Sequence, residues 1–329
     1  MGGNKMKKFI IITTINKKTK GIEEFLKKEG WNVILVGDKK SKTIYSDGNL
    51  TFLSVEDQKN LGYPLVEKTP YNHYARKNIG YLYAIKHGAD VIYDTDDDNL
   101  PYDYWKMEDF TCNRNIVTPA KYLNIYQYFT TRKVWPRGFP LDEILPQYKY
   151  QVRENISVNI GVWQGLADIE PDVDAIYRLT LNKQLRFKNK PSVYLEKRVY
   201  CPFNSQNTFW RKETFPLLYL PTTTSFRFTD ILRGYIAQRL MWEGNLHLGF
   251  TKATVYQERN GHDFMKDFEQ EIECYMNIKK LVHILETVEL GGNIAENLYN
   301  IYLELVKSRI VKKKEMEILR RWINEVAEQ

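Results

Sequence analysis

Cysteine is scarce in this 329-residue chain. Cys112, Cys201 and Cys274 are far apart, odd in number and outside any C-x-x-C spacing. That argues against a disulfide framework and a cysteine zinc site, and it fits a reducing compartment. Long hydrophobic runs are missing too: no stretch approaches the ~20 apolar residues that cross a bilayer. The run after Lys7 and Lys8 is too short for a signal peptide, so a cytoplasmic protein is expected. There is no internal repeat, no low-complexity tract and no nucleic-acid-binding motif. The first apolar run ends in TTINKKTKG, which lacks the glycine-rich loop with which sugar-phosphate nucleotidyltransferases cradle phosphate.

What is present describes a globular chain: 43% hydrophobic, 27% charged and 14% aromatic residues, with 23 tyrosines. The length suffices for one large domain with an appendage, or for two domains. A formal net charge of +7 suits anionic partners, whether nucleic acid, an acidic membrane surface or phosphorylated small molecules. The sign alone does not choose among them.

The first third alternates strand and helix signals. KFIIIT (8–13) reads as a buried strand, and a helix follows with Thr19 as N-cap, Ile22, Phe25 and Leu26 inward, and Gly30 as stop. WNVILVG is a second strand and residues 50–55 a third. A longer helix is predicted from Asn72 to Lys86, with Ile79, Leu82 and Ile85 on one face and Gly88 ending it. This order implies an α/β protein with a mostly parallel, Rossmann-like sheet that binds ligand beyond the carboxyl ends of its strands. Residues 111–265 are irregular and rich in Pro, Trp and Tyr. Beyond 266 helical spacing returns: one helix from Ile278 to Leu290, a Gly291-Gly292 break, and two more helices carrying Ile294 to Leu305 and Met316 to Val326. Three units are therefore expected: 1–110, 111–265, and a helical extension, 266–329.

One stretch carries chemistry. Residues 91–99, VIYDTDDDN, place Asp94, Asp96, Asp97 and Asp98 at the end of an apolar strand. Two unit charges about 4 Å apart repel by roughly 4 kcal/mol at an effective dielectric of 20, so the cluster needs water or a cation. Mg²⁺ and Mn²⁺ take oxygen ligands and commonly bind through one or two carboxylates plus substrate phosphates. A solvated acidic turn is the plain alternative. Just upstream, Arg76 and Lys77 open the preceding helix, where cations and a helix N-terminus can meet an anion beside such a metal; a solvated helix face is the other reading.

The arrangement of Ala, Arg, Asn (Asn78) and Gly opening that helix, a later Gly, an apolar strand and an Asp cluster resembles the donor half of GT-A glycosyltransferases. One extra residue stands between Arg76 and Asn78. RKNIGYLYAIKHGAD with DDDN, WQGLADIEPDVDAIYRLT (163–180), CPFNSQNTFW (201–210), FRFTDILRGYIAQRLMWEG (226–244) and YQERNGHDFMKDFEQEI (256–272) together resemble the STELLO-type family of glycosyltransferases. The likeness runs from about residue 8 to 276 and leaves the helical tail outside. More distantly, the VGDKK block (36–40) and the Asp triplet resemble the reversibly glycosylated polypeptides, which act as UDP-sugar mutases.

The resemblance implies a GT-A fold, a nucleotide-sugar donor, a UDP-sugar by expectation, and Mn²⁺ or Mg²⁺. It places Thr13, Thr14 and Asp38 near base and ribose and makes Asp96 and Asp98 metal ligands. Asp97 or Asp94 is then left for the ribose or a basic side chain, while an Asp94/Asp96 register stays open. A late histidine, His262, would complete the metal sphere. An inverting transfer needs a carboxylate to take the acceptor's proton. Asp230, ahead of the helix carrying Arg239-Leu240, is the candidate base or else an N-cap, with Asp172 and Asp174 as rivals. Arg233 and Arg259 would face diphosphate or else form surface ion pairs. The expected acceptor is a glycan or a lipid-linked hydroxyl. The basic tail (Lys312, Lys313, Lys314, Arg320, Arg321) either docks peripherally on an acidic membrane or is a solvated face. A mutase is the alternative activity. A non-enzymatic nucleic-acid binder is disfavoured, because four aspartates in the cleft would repel phosphates.

Overall fold

The computed structural model describes residues 6–146, 149–258 and 263–327. Its first part follows the apolar pattern closely. β1 (Lys8–Thr13), β2 (Trp31–Val36), β3 (Leu50–Leu53) and β4 (Val91–Thr95) run parallel in the order β3-β2-β1-β4. Between β1 and β2, α1 (Lys20–Leu26) is capped by Thr19, whose side chain accepts from Ile22 N, and buries Ile22 and Phe25; Gly30 takes the left-handed turn (φ 75°) after it. The third strand ends two residues before its expected limit because Ser54 caps a short helix, α2 (Val55–Asn60), in a reciprocal box with Asp57. Then come α3 (Pro64–Lys68) and α4 (Lys77–Lys86). The expected helix start at Asn72 gives way to a 3₁₀ turn, Tyr74–Arg76, capped by the His73 ring. On α4, Ile79, Leu82 and Ile85 are all buried against the sheet, each contributing about 1.5–3 kcal/mol. Gly80 lets the helix approach this closely, since a Cβ there would lie 2.5 Å from Val36.

The sheet does not stay parallel, and this corrects the mostly parallel expectation. After β5 (Asn99–Pro101), β6 (Thr111–Val117) and the short α5 (Tyr126–Phe129) comes β7 (Gln151–Asp168), an 18-residue strand whose first half is exposed and second half buried. Then follow α6 (Ala175–Thr180), β8 (Val193–Leu195), β9 (Asn207–Arg211), α7 (Thr229–Glu243) and β10 (His247–Gln257). β9 inserts antiparallel between β4 and β7, and the ten strands form one mixed sheet, β3-β2-β1-β4-β9-β7-β6-β8-β10-β5. The second half defeats simple periodicity because its strands change surroundings along their length and bulge at several pairs.

Three helices close the chain: α8 (Phe264–Thr287), α9 (Ile294–Lys307) and α10 (Glu315–Ala327). α8 starts fourteen residues before the expected Ile278, capped by Asp263, because exposed Met265, Ile272 and Met276 mask its buried face. α10 packs back on the first part: Glu315, fully buried, accepts from Tyr219 Oη (2.5 Å) and Thr222 N (2.8 Å), and Arg321 donates to Pro64 O (2.9 Å). Lys312, Lys313 and Lys314 are exposed, while Arg320 donates to Tyr299. Among the described residues no helix is long and apolar enough to cross a membrane.

Candidate active site

The parallel strands β1, β2 and β4 end together, and the loops beyond them meet. Thr14 Oγ1 donates to Asp97 Oδ2 (2.6 Å), Asn16 Nδ2 donates to the same oxygen (3.1 Å), and the Thr19 hydroxyl donates to the Asp97 carbonyl. α1 presses on this loop through Gly21, where a Cβ would sit 2.3 Å from Asn99 O. Asp97 is thus a loop anchor. Thr13 ends β1 beside it, and Ser41 Oγ donates to Thr14 O (2.5 Å). Asp38 accepts the Asn72 and Lys39 amides (2.6 and 2.7 Å), so it ties the second strand's loop to the segment leading into α4.

Asp94 lies at the centre of a closed ionic junction. Lys77 Nζ is 2.7 Å from one of its oxygens and Arg233 Nη1 is 3.0 Å from the other, all three side chains being essentially inaccessible. Arg233 comes from α7, stacks on Trp210 and donates to Ser205 Oγ (2.8 Å). It therefore fastens the second half of the sheet to β4. Burial alone would lower Lys77, but Asp94 and Asp96 outweigh it and hold the ammonium above its ordinary value.

Asp96 is the carboxylate that reaches the cleft. Its Oδ1 accepts from Tyr74 Oη (2.7 Å) and Lys77 Nζ (3.2 Å), and a third of its side chain, 33%, remains exposed. Burial pushes it up to about 6; Lys77 opposes the rise and the Asp98 charge adds to it. Asp98 Oδ2 accepts from Gln257 Nε2 (2.6 Å), and Gln257 in turn accepts from Gln206 (2.7 Å).

The same cleft carries a second carboxylate pair. It is lined by Tyr74, Asp96, Arg137, Asp172, Asn204, Gln206, Phe226, Arg227, Asp230 and Gln257, and encloses about 480 Å³ with its open mouth included. Arg137 uses all five of its N–H donors there. Nε and Nη2 meet Asp172 (2.8 Å each), Nη1 and Nη2 meet Asp230 (3.0 and 2.9 Å), and Nη1 also donates to the Arg227 carbonyl. Burial works to raise Asp172, yet Arg137 and the Asn204 amide (2.6 Å) hold it below the usual carboxylate range. Asp230 sits in the first turn of α7 and also accepts the Ser205 amide (3.3 Å).

The remaining sequence candidates are placed elsewhere. Arg76 turns away from the acid loop, stacking over Tyr71 and donating to Thr69 O (3.0 Å) and to Gln58. Asn78 exchanges two 2.8 Å hydrogen bonds with the Leu220 backbone. Asp174 is the N-cap of α6, accepting from Tyr177 N (2.8 Å) and Trp135 Nε1 (2.7 Å); burial raises it to about 7. His262 and Arg259 lie outside the described residues. Arg137, Arg227, Gln206 and Gln257 join the cleft without having been singled out. Gln206 and Gln257 at least fall inside the blocks CPFNSQNTFW and YQERNGHD, whereas Arg137, in VWPRGFP, belongs to no such block.

The carboxylates of the acid loop differ in how far their charge is already met. Asp94 already has its charge met twice, by Lys77 and Arg233. Asp96, raised to about 6 mainly by burial, is also pushed up by the Asp98 charge, and Lys77 only partly offsets the rise. Among the described residues no three His, Cys, Asp or Glu side chains converge as a ready ligand set. An ion there would draw on two carboxylates and complete its sphere with ligand oxygens and water.

Two comparisons bear on this cleft. Residues 227–329 match the family model for STELLO glycosyltransferases, so the likeness extends through α8, α9 and α10, beyond the limit near 276 that the sequence blocks suggest. Two Arabidopsis thaliana proteins named probable glycosyltransferases STELLO1 and STELLO2 are 30% and 28% identical to the chain. Each match covers 84% of the chain and 38% or 39% of the relative. The chain thus spans about two fifths of the length of these relatives. By sequence, over most of its length, the chain is a relative of the STELLO glycosyltransferases.

Proposed function

We propose that the chain is a metal-dependent glycosyltransferase of GT-A type that moves a sugar from a nucleotide-sugar, a UDP-sugar in the first instance, to a hydroxyl of a glycan or lipid-linked acceptor. The observation that carries this reading is the shared cleft: Asp96, at the end of the parallel strands, lines the same opening as Asp172 and Asp230. In this reading Asp96 and Asp98 hold Mn²⁺ or Mg²⁺, which neutralises charge on a departing diphosphate. Lys77 supplies a fixed positive charge beside it. Thr13, Thr14 and Asp38 border the place for base and ribose. Asp230 takes the proton from the acceptor hydroxyl; Asp172, held low by Arg137 and Asn204, is poorly suited to that role. Residues 1–110 would then furnish the donor side and 111–265 most of the acceptor side.

The test is thermal unfolding with UDP-sugars, with and without Mn²⁺. A donor that stabilises the wild type only with metal, and loses that effect in Asp96→Ala and Asp98→Ala while Asp230→Asn keeps it, supports the reading. Stabilisation that persists without metal in both alanine variants would sink it. Incubation with a UDP-sugar alone, followed by product analysis, separates transfer from mutase activity, since only a mutase interconverts ring forms of the donor.

A further inference from the structure

The charge balance of the acceptor side can be counted. Three carboxylates line the cleft, Asp96, Asp172 and Asp230, against two guanidiniums, Arg137 and Arg227. Arg137 is not at liberty to meet a new anion, and Arg227 keeps a single unpartnered nitrogen. Arg137 has committed every N–H, and Arg227 is paired with Glu271 (2.5 Å) and faces Asp267 (3.8 Å), two further buried carboxylates. With Lys77 offsetting Asp96 (3.2 Å), the negative surplus lies around Asp172 and Asp230, in a chain whose formal charge is +7.

The other lining groups are neutral and two-sided. The Asn204 and Gln206 amides both donate and accept, as does the Gln257 amide behind Asp98. Arg227 Nη2 is buried and has no hydrogen-bond partner among the described residues. Tyr74 and Phe226 stand 5.2 Å apart between ring centroids, and Phe226 is half exposed at the mouth. Carboxylate acceptors, an unfilled N–H, amides of both kinds and an apolar ring wall together match a hydroxylated ring with a C–H face. An anion could take the one unfilled N–H, but it would meet the surplus charge of Asp172 and Asp230 in doing so.

We infer that the acceptor side of this cleft selects a neutral polyhydroxylated ligand and discriminates against its acidic counterpart, with Asp172 and Asp230 setting the discrimination. The inference rests on the proposed glycosyltransferase reading and narrows its acceptor class from glycans in general to neutral ones. A ligand carboxylate about 5 Å from one uncompensated charge, at an effective dielectric near 20, is disfavoured by roughly a hundredfold. Water at the mouth reduces this, so a ratio of at least about tenfold is expected.

The experiment uses matched methyl glycosides that differ only at C6: glucoside against glucuronide, and galactoside against galacturonide. Binding to the full chain, with UDP and Mn²⁺ present, is read by saturation-transfer NMR titration. The neutral member should bind at least about tenfold tighter. Asp172→Asn, checked for folding by thermal unfolding, should narrow the ratio, and Asp230→Asn provides the same reading should that variant fail to fold. Equal or tighter binding of the uronides, an unchanged ratio in the folded variants, or no binding of either neutral glycoside at saturating concentration would overturn it. Donor stabilisation by Mn²⁺ is measured separately, so loss of the donor reading and loss of the charge preference remain distinguishable.

Discussion

Two buried groups of charges lie close together, linked through Ser205 and α7, and they differ in how they balance. In the junction around Asp94, one carboxylate meets two cations, Lys77 and Arg233, that arrive from α4 and α7. In the clamp around Arg137, two carboxylates share one guanidinium. The first group is closed to solvent and joins distant parts of the chain, so its work is mechanical. The second is left with net negative charge and borders an opening, so it can still act on a ligand. An acidic cluster that looks uniform in sequence is therefore divided by the fold: Asp94 and Asp97 hold structure together, Asp96 lines the cleft, and Asp98 accepts from Gln257 beside it.

The largest effect should come from breaking the closed junction. Arg233→Met takes one of two cations from Asp94, strips the Ser205 hydroxyl of its guanidinium donor and removes the cation from the Trp210 face. Removing one member of a buried charge group typically costs about 3–5 kcal/mol. Urea unfolding should show a loss of that size, with part of it recovered in the double variant Asp94→Asn/Arg233→Met. A loss below about 1 kcal/mol, the scale of an exposed pair, would mean the junction is not closed.

How much of this was legible in the sequence follows from the same contrast. β1, β2, β4 and α4 were readable because their faces keep one environment: the interior residues of KFIIIT are buried throughout, and Ile79, Leu82 and Ile85 share one side. β7 was not, because its first half is exposed and its second half is core. The acid loop announced itself by charge density. Arg137 did not, since an isolated arginine in VWPRGFP carries no period and no neighbouring motif; only the tertiary return of Asp172 and Asp230 gives it a role. Lys77 and Arg76 illustrate the limit of spacing: adjacent in sequence, one reaches the acid loop and the other Thr69 and Gln58, and the structure alone decides which meets the acids.

A second prediction separates buried charge from buried neutrality. Asp174 is raised to about 7, mainly by burial, against about 3.9 in an unfolded chain. Between these values the folded protein holds a proton that the unfolded chain has released. Stability from this group is therefore fully present below about pH 4 and is lost as pH rises towards 7, by up to about 4 kcal/mol. Asp174→Asn keeps an oxygen for the α6 cap but has none left for Trp135 Nε1. It should be the less stable protein at pH 4.5 and close most of that gap by pH 7.5. A gap of constant size across that range would show that Asp174 is charged in the fold.

The smallest effect marks the other end of the comparison. Lys307 and Glu304 make a 2.6 Å pair on α9, shorter than the Arg233–Asp94 contact, but their side chains are 68% and 39% exposed. If separation governed the energy, this pair would matter more than the junction. Water and salt screen it, however, and two flexible side chains must be held still to form it, so Lys307→Ala should cost no more than about 0.5 kcal/mol and less in 1 M salt. Measured beside Arg233→Met under the same urea conditions, it tests whether burial rather than distance ranks the ionic contacts of this chain. A cost equal to that of the junction variant would reverse the ranking and remove the ground for reading Asp94 as structural.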